Sequence, residues 1–157
     1  MTSINDILDD MEDAIKVIDG TGNYTYNLGK NIQFEMDTPD IEIQEKSLVN
    51  PKVIIVYNNI EIEDWSTTDF ESIAEITIVG YLKQDQAWTG SKVERKKLLT
   101  LQMDMFSAVY QMFKRQSTVV GTEQFSLEGT IRSRLGKAGT IAHVNLEFNI
   151  RFEETAQ

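Results

Sequence analysis

The stretch of residues 91–116, SKVERKKLLTLQMDMFSAVYQMFKRQ, most constrains the fold, because it is the longest run with helical apolar spacing and no internal glycine or proline. At about 100° per residue, one side carries Leu98, Leu101, Met105, Val109 and Met112. Adjoining apolar residues widen the arc to roughly 220°, whereas a simple surface helix needs about 100°. We therefore expect this helix to lie on a sheet and to contact a second element, either another helix of the chain or a neighbouring subunit.

The size and composition of the chain indicate one folded domain. Its 157 residues are 41% hydrophobic and 25% charged, which is ordinary for a globular protein and unlike a disordered segment. We predict a single domain over residues 1–157. Because the chain has no cysteine, disulfides and cysteine-based zinc sites are excluded.

The net charge of −10 opposes broad nucleic-acid binding, since affinity for DNA depends on lysine and arginine at the phosphates. The same charge would suit a surface past which DNA slides without sticking. No run approaches 18 apolar residues, and the acidic, amphipathic start is the reverse of a signal peptide. We expect a cytoplasmic or packaged protein that does not bind membranes.

The remaining segments predict one further helix and several strands. Ser3 is placed to cap a helix that continues to Ile18 with one apolar stripe. Strand patterns occupy residues 32–36, 53–57, 60–65, 72–83, 125–132 and 142–153, with a turn at Asn58-Asn59 and a short edge piece at residues 41–43. The order predicts an α+β fold: a single domain with an antiparallel or mixed β-sheet of about four to six strands and two α-helices packed on one face.

No residues indicate catalysis or a cofactor. A phosphate loop at Gly136-Lys137 lacks two of its required residues. The single histidine, His143, has no evident partners for a zinc site or a triad. The carboxylates of Glu61, Glu63 and Asp64 are more simply a solvated acidic segment than a calcium or acid–base site. We predict no catalytic, cofactor-binding or metal-binding residues and expect that the protein is not an enzyme.

Charged and aromatic residues near the predicted loops are the candidates for contacts. Lysines and an arginine crowd the start of the long helix, where the helix dipole disfavours cations. They are either a solvated face with Glu94 as local partner, or a patch that docks head to tail on an acidic surface of a neighbouring subunit, such as residues 64–71. The two tryptophans either cap the core or mark a contact. The candidate subunit or tube interface comprises Asp64, Trp65, Asp69, Glu71, Asp85, Trp88, Lys92, Arg95 and Lys96.

The whole pattern resembles the tail terminator, or tail completion, proteins of long-tailed bacteriophages. The resemblance rests on residues 4–8 (INDIL), 51–57 (PKVIIVY), 76–81 (ITIVGY), the helix from Val93 and the closing strand 144–152. It implies an α+β subunit that assembles as a homo-oligomer, a hexameric ring, at the end of the tail tube.

The resemblance also implies a role and partners. The ring would stop polymerisation of the tube protein and offer a joining surface to the head connector or a head completion protein, while DNA passes through without specific binding. The location would be the neck of the virion, assembled in the host cytoplasm. Alternatives are another neck component, such as a head completion or adaptor protein, or a small-ligand-binding or hydrolytic α+β domain.

Overall fold

A computed structural model of the chain describes residues 4–35, 51–64, 69–114, 128–135 and 137–155. The elements, in chain order, are α1 (Ile4–Lys16), β1 (Ile32–Glu35), β2 (Lys52–Asp64), β3 (Asp69–Lys83), α2 (Lys92–Lys114), β4 (Glu128–Leu135) and β5 (Ile141–Thr155). The strands form one sheet in the order β1-β2-β3-β5-β4. It is mixed, because β1 pairs parallel with β2 and all other pairs are antiparallel. The predicted α+β fold class is confirmed.

Both helices pack on one face of the sheet, as predicted. The main core combines the buried side of α2, the apolar stripe of α1 and alternate residues of the strands. From α2 it contains Leu98, Leu101, Met105, Ala108 and Val109, and from α1 it contains Ile7, Met11, Ala14 and Ile15. Contacts of α2 with α1, β3 and β5 confirm that the long helix needs two partners. The end predicted at Gln116 lies outside the described residues.

A glycine in β3 lets α2 approach the sheet closely. A Cβ atom placed on Gly80 would lie 2.7 Å from Sδ of Met105 and 3.1 Å from Cδ2 of Leu101. The first distance is shorter than real Cβ contacts and the second is tighter than most of them, so a larger residue at position 80 requires the ends of the Met105 and Leu101 side chains to shift. Gly80 therefore sets the distance between the helix and the sheet.

The turn predicted at Asn58-Asn59 is wrong. β2 continues through both residues: Tyr57 pairs with Ile76 and Asn59 pairs with Glu75, and the register shift between them skips only Asn58. A bulge of this kind absorbs one extra residue while the ladder continues. The strand predicted from Ser72 likewise begins earlier, at Asp69. In both cases, pairing with a neighbouring strand satisfies backbone groups in a segment whose polar composition favours a loop.

The sheet is buried on both faces near the start of β2. Four consecutive residues, Val53, Ile54, Ile55 and Val56, are each at most 1% exposed. Val53 and Ile55 belong to the main core, whereas Ile54 and Val56 belong to a second cluster with Tyr81. This confirms the interior position predicted for the strand from its continuous apolar run. The possible edge piece at residues 41–43 lies outside the described residues.

Candidate contact surfaces at the two ends of the sheet

The loop of residues 84–91 leads from β3 into α2 and is held against the connection between β4 and β5. The backbone N–H of Trp88 donates to the carbonyl of Gly139 at 2.9 Å, and its indole Nε1–H donates to the carbonyl of Thr140 at 2.8 Å. The Trp88 side chain is 3% exposed and belongs to the main core. Of the two interpretations of Trp88, capping the core is confirmed and exposure as a contact residue is corrected, because its apolar body is buried and its N–H has a partner within the chain.

Arg134 holds the same loop from its outer side. Its Nε donates to the carbonyl of Trp88 at 2.8 Å, and its Nη2 donates to the carbonyl of Thr89 at 2.6 Å. Arg134 lies within the register shift of β4 and has φ of 62°, a conformation that costs a non-glycine residue about 1–3 kcal/mol. The two charge-assisted hydrogen bonds help to offset that cost. Nothing in the sequence pattern of β4 indicates this role, because it depends on the bulge.

Ser91 and Glu94 form a capping box at the start of α2. The Oγ of Ser91 accepts from the Glu94 N–H at 3.3 Å, and Oε1 of Glu94 accepts from the Ser91 N–H at 3.0 Å. The carboxylate also accepts from the hydroxyl of Thr89 and from Nε2 of Gln84, each at 2.7 Å. These donors, the Thr89 hydroxyl first among them, hold the pKa of Glu94 well below its usual range. The Ser-x-x-Glu spacing is the sequence signal for this cap, whereas Glu94 was predicted only as a partner of the neighbouring cations.

Replacing Glu94 with glutamine is expected to destabilise the protein at neutral pH and to weaken its acid sensitivity. Because folding depresses the pKa of Glu94 below its ordinary 4.5, the stability it contributes is fully present above about pH 5 and is lost as the pH falls through the acid range. The measurement is urea unfolding at about pH 7 and at about pH 3. Between these two pH values, the wild type should lose more unfolding free energy than Glu94→Gln does.

Glu12→Gln is the matched control for this measurement. The Glu12 carboxylate forms an exposed pair with Lys16, 3.0 Å away on the same helix. Such a pair contributes about 0.3–0.5 kcal/mol, so the control should follow the wild type closely at both pH values. Equal losses in the wild type and Glu94→Gln would contradict the role of this cap.

Lys92, Arg95 and Lys96, named here the basic surface, lie on the outside of the first turns of α2, and all three side chains are exposed. Within the described parts of the chain, none of them forms an ion pair. Glu94, the predicted local partner, directs its carboxylate into the preceding loop instead. Three cations therefore lie uncompensated where the helix dipole disfavours them. Asp85 is exposed in the loop at the same end of the sheet.

The acidic candidates lie at the opposite end of the sheet. Asp64 is the last residue of β2, within the strand predicted over residues 60–65, whereas Asp69, predicted in the acidic loop that follows, is the first residue of β3. Glu71 is likewise a strand residue, paired with Glu63. The loop predicted for Asp69 and Glu71 is corrected, because the β2–β3 ladder extends further than composition suggests. Trp65 lies outside the described residues.

The strand register places three glutamates side by side at this end. Glu63 of β2 is opposite Glu71 of β3, and Glu71 is opposite Glu153 of β5. Like charges directly opposite one another on neighbouring strands are destabilising. These glutamates, together with Asp64 and Asp69, are named the acidic end.

The basic surface and the acidic end cannot meet within one chain. β3 begins at the acidic end, and only the loop of residues 84–91 separates its last residue from α2. A strand of 15 residues spans roughly 45 Å. Any contact between the two surfaces therefore requires two copies of the chain.

A groove of about 620 Å³ lies between the C-terminal part of α1 and the second half of α2. It contains two carboxylates, both engaged by the loop that follows α1. Oδ2 of Asp104 accepts from the Thr25 N–H at 3.1 Å, and Oδ1 of Asp19 accepts from the Thr21 hydroxyl at 2.6 Å. Burial raises the pKa of Asp104, whereas the hydrogen bonds from Thr21 lower the pKa of Asp19. The groove is therefore a concave surface in which the carboxylates of Asp104 and Asp19 do not form a pair of general acid and general base.

The fold and these surfaces define a single-domain α+β protein with oppositely charged ends. Comparison of the chain with protein-family models and with curated proteins finds no match. Across the described ranges, no three carboxylate or histidine side chains gather closely enough to hold a metal ion. None of the described helices is long and apolar enough to cross a membrane.

Proposed function

We propose that this chain is a structural assembly protein that forms a ring by head-to-tail contact and acts as the tail terminator of a long-tailed bacteriophage. The observation that carries the proposal is the placement of the basic surface and the acidic end at opposite ends of the same strand. Two different, complementary patches on one subunit make a heterologous contact, and such contacts close into rings when the rotation between neighbours allows it. The resemblance in sequence supplies the tail terminator role.

The proposed ring caps the tail tube, ends polymerisation of the tube protein and offers its other side to the head connector or a head completion protein. It has no catalytic step: its selectivity comes from the shape and charge of its surfaces. The net charge of −10 supports a channel through which DNA passes without binding, because phosphates are repelled. The proposed location is the neck of the virion.

Reversing the charge of the basic surface is expected to weaken assembly of the ring. The double variant Arg95→Glu, Lys96→Glu should raise the concentration required for ring formation at least about tenfold, equivalent to about 1.4 kcal/mol. The reason is that two attractive contacts with the acidic end become repulsive. Native mass spectrometry, with and without purified tail tubes, measures the assembly, and electron microscopy shows whether rings cap the tubes.

Lys30→Glu is the matched control, because Lys30 is an exposed lysine in the loop before β1 and should leave assembly unchanged. Adding Asp69→Lys and Glu71→Lys to the reversed variant should restore assembly. A wild type that stays monomeric even with tail tubes would overturn the proposal. Binding to head connectors but not to tubes would favour the alternative of another neck component.

A further inference from the structure

The groove between the C-terminal part of α1 and the second half of α2 has the size and the lining of a small-molecule site. Its volume of about 620 Å³ lies within the range of roughly 300–1,000 Å³ that ligand pockets occupy. Apolar side chains form part of its surface: Ala14, Val17, Ala108 and Met112. A ligand with an alkyl portion therefore fits the groove, because its apolar atoms leave water on contact with this surface.

The charged side chains described in this groove are all acidic. Asp104 lines it from α2, and Asp19 lines it from the loop that follows α1. None of the described lining residues is a lysine, an arginine or a histidine. Across the described ranges, neither carboxylate forms an ion pair. In addition, α1 ends beside the groove, and the negative end of its dipole attracts positive charge. The groove therefore favours a cation.

The carboxylate of Asp104 is poorly solvated. The residue is 8% exposed, and burial raises the pKa of its carboxyl. A buried negative charge is costly unless a cation lies beside it, because water no longer stabilises the charge. The N–H of Thr25 donates to Oδ2 of Asp104 at 3.1 Å, which fixes the side chain but supplies no opposite charge. An ammonium group in the groove would supply that charge.

We propose that this groove binds a straight-chain aliphatic diamine, with one ammonium group at Asp104, the other at Asp19, and the alkyl chain on the apolar lining. Two ammonium groups fit better than one, because the two carboxylates belong to different elements and each lacks a cation. An anion of the same size is repelled by both carboxylates. The site lies within one subunit, so the proposal is independent of the proposed ring.

Isothermal titration calorimetry of the full chain at low salt tests the ligand class. The probes are cadaverine and the longer spermidine, and the control is pentylamine, which has the chain of cadaverine but only one ammonium group. We expect cadaverine to bind about two- to fivefold more tightly than pentylamine, the gain expected from one additional exposed ion pair. Added salt should weaken the binding of both diamine probes, because it screens the attraction.

Substitutions in the groove test its location. Asp104→Asn keeps the size of the side chain and an acceptor for the Thr25 N–H, and it should weaken cadaverine binding at least about tenfold, because a buried ion pair is lost. Asp19→Asn should weaken binding about two- to fivefold, since Asp19 is exposed. Gln111→Lys places a cation on an exposed lining position and should also weaken binding. Asp85→Asn is the matched control, because it removes one exposed carboxylate outside the groove.

Each contrary outcome overturns the proposal. If the wild type binds neither cadaverine nor spermidine, the groove is not an amine site. Equal losses in Asp104→Asn and Asp85→Asn would show general attraction to an acidic protein instead of a site. Equal affinities for pentylamine and cadaverine would contradict the assignment of a diamine. If Asp104→Asn fails to fold by circular dichroism, Gln111→Lys decides the matter, and wild-type affinity in that variant overturns the proposal.

Discussion

Replacing Trp88 with alanine is expected to lower the free energy of unfolding by about 3–5 kcal/mol, the usual cost of removing a large buried aromatic side chain. The indole is 3% exposed and joins the loop of residues 84–91 to the core. Its loss leaves a cavity and also removes the hydrogen bond from Nε1 to the carbonyl of Thr140. For a domain of this size, the midpoint of thermal unfolding should fall by about 6–20 °C.

Trp88→Phe separates the two contributions. Phenylalanine retains most of the buried ring but has no N–H, so this variant should lose about 0.5–1.5 kcal/mol for the hydrogen bond plus a smaller packing cost. Urea unfolding followed by circular dichroism measures both variants. If Trp88→Ala unfolds at the wild-type midpoint, the burial of Trp88 is wrong, and a contact role for this residue becomes the better interpretation.

Replacing Gly80 with valine is expected to destabilise the protein by about 1–3 kcal/mol, because the new Cβ atom would collide with Met105 and Leu101. The collision distances are 2.7 Å to Sδ of Met105 and 3.1 Å to Cδ2 of Leu101. Valine also has a higher β-propensity than glycine, which stabilises the strand. The measured loss of unfolding free energy is therefore the cost of the collision minus this gain. Met105→Ala alone should cost about 2–5 kcal/mol, because Met105 is fully buried.

The double variant Gly80→Val, Met105→Ala tests whether the side chains at positions 80 and 105 compete for the same volume in the core. Met105→Ala removes the atom that the valine would strike, so Gly80→Val should cost less in that background, with a coupling of about 0.5–3 kcal/mol. Gly80→Ala should also lower the free energy of unfolding, but by less than Gly80→Val. Additive costs, within about 0.5 kcal/mol, would show that the close approach of α2 to β3 does not occur at Gly80.

Short-range pattern was enough to predict both helices and most of the strands. The last strand is the clearest case, because Ala142, Val144, Leu146 and Phe148 are at most 2% exposed, as strict alternation predicts. The wide apolar arc of α2 also led to the correct expectation of two partners, the sheet and α1. Such patterns are local, since each is set by which side of a helix or strand must leave water.

The candidate site was predictable in its residue types but not in its arrangement. The cations of the basic surface are exposed, as the sequence indicates. Trp88, by contrast, is buried, and the Glu94 carboxylate accepts hydrogen bonds from the preceding loop instead of pairing with the lysines. The strand positions of Asp69 and Glu71 were also not predicted. Each incorrect prediction concerns either a side chain whose contact partner is distant in sequence or a strand whose backbone pairing continues through polar residues.

By itself, the sequence determined the fold class, the buried sides of α1 and α2, and the faces of the alternating strands, because these depend on periodicity over a few residues. The strand order, the parallel pairing of β1, the bulge at Asn58 and the hydrogen bonds from Arg134 to the loop of residues 84–91 became visible in the folded chain. The tertiary structure also placed the basic surface and the acidic end at opposite ends of β3. Those features arise from hydrogen bonds and packing between segments far apart in the chain, which no local spacing of residues encodes.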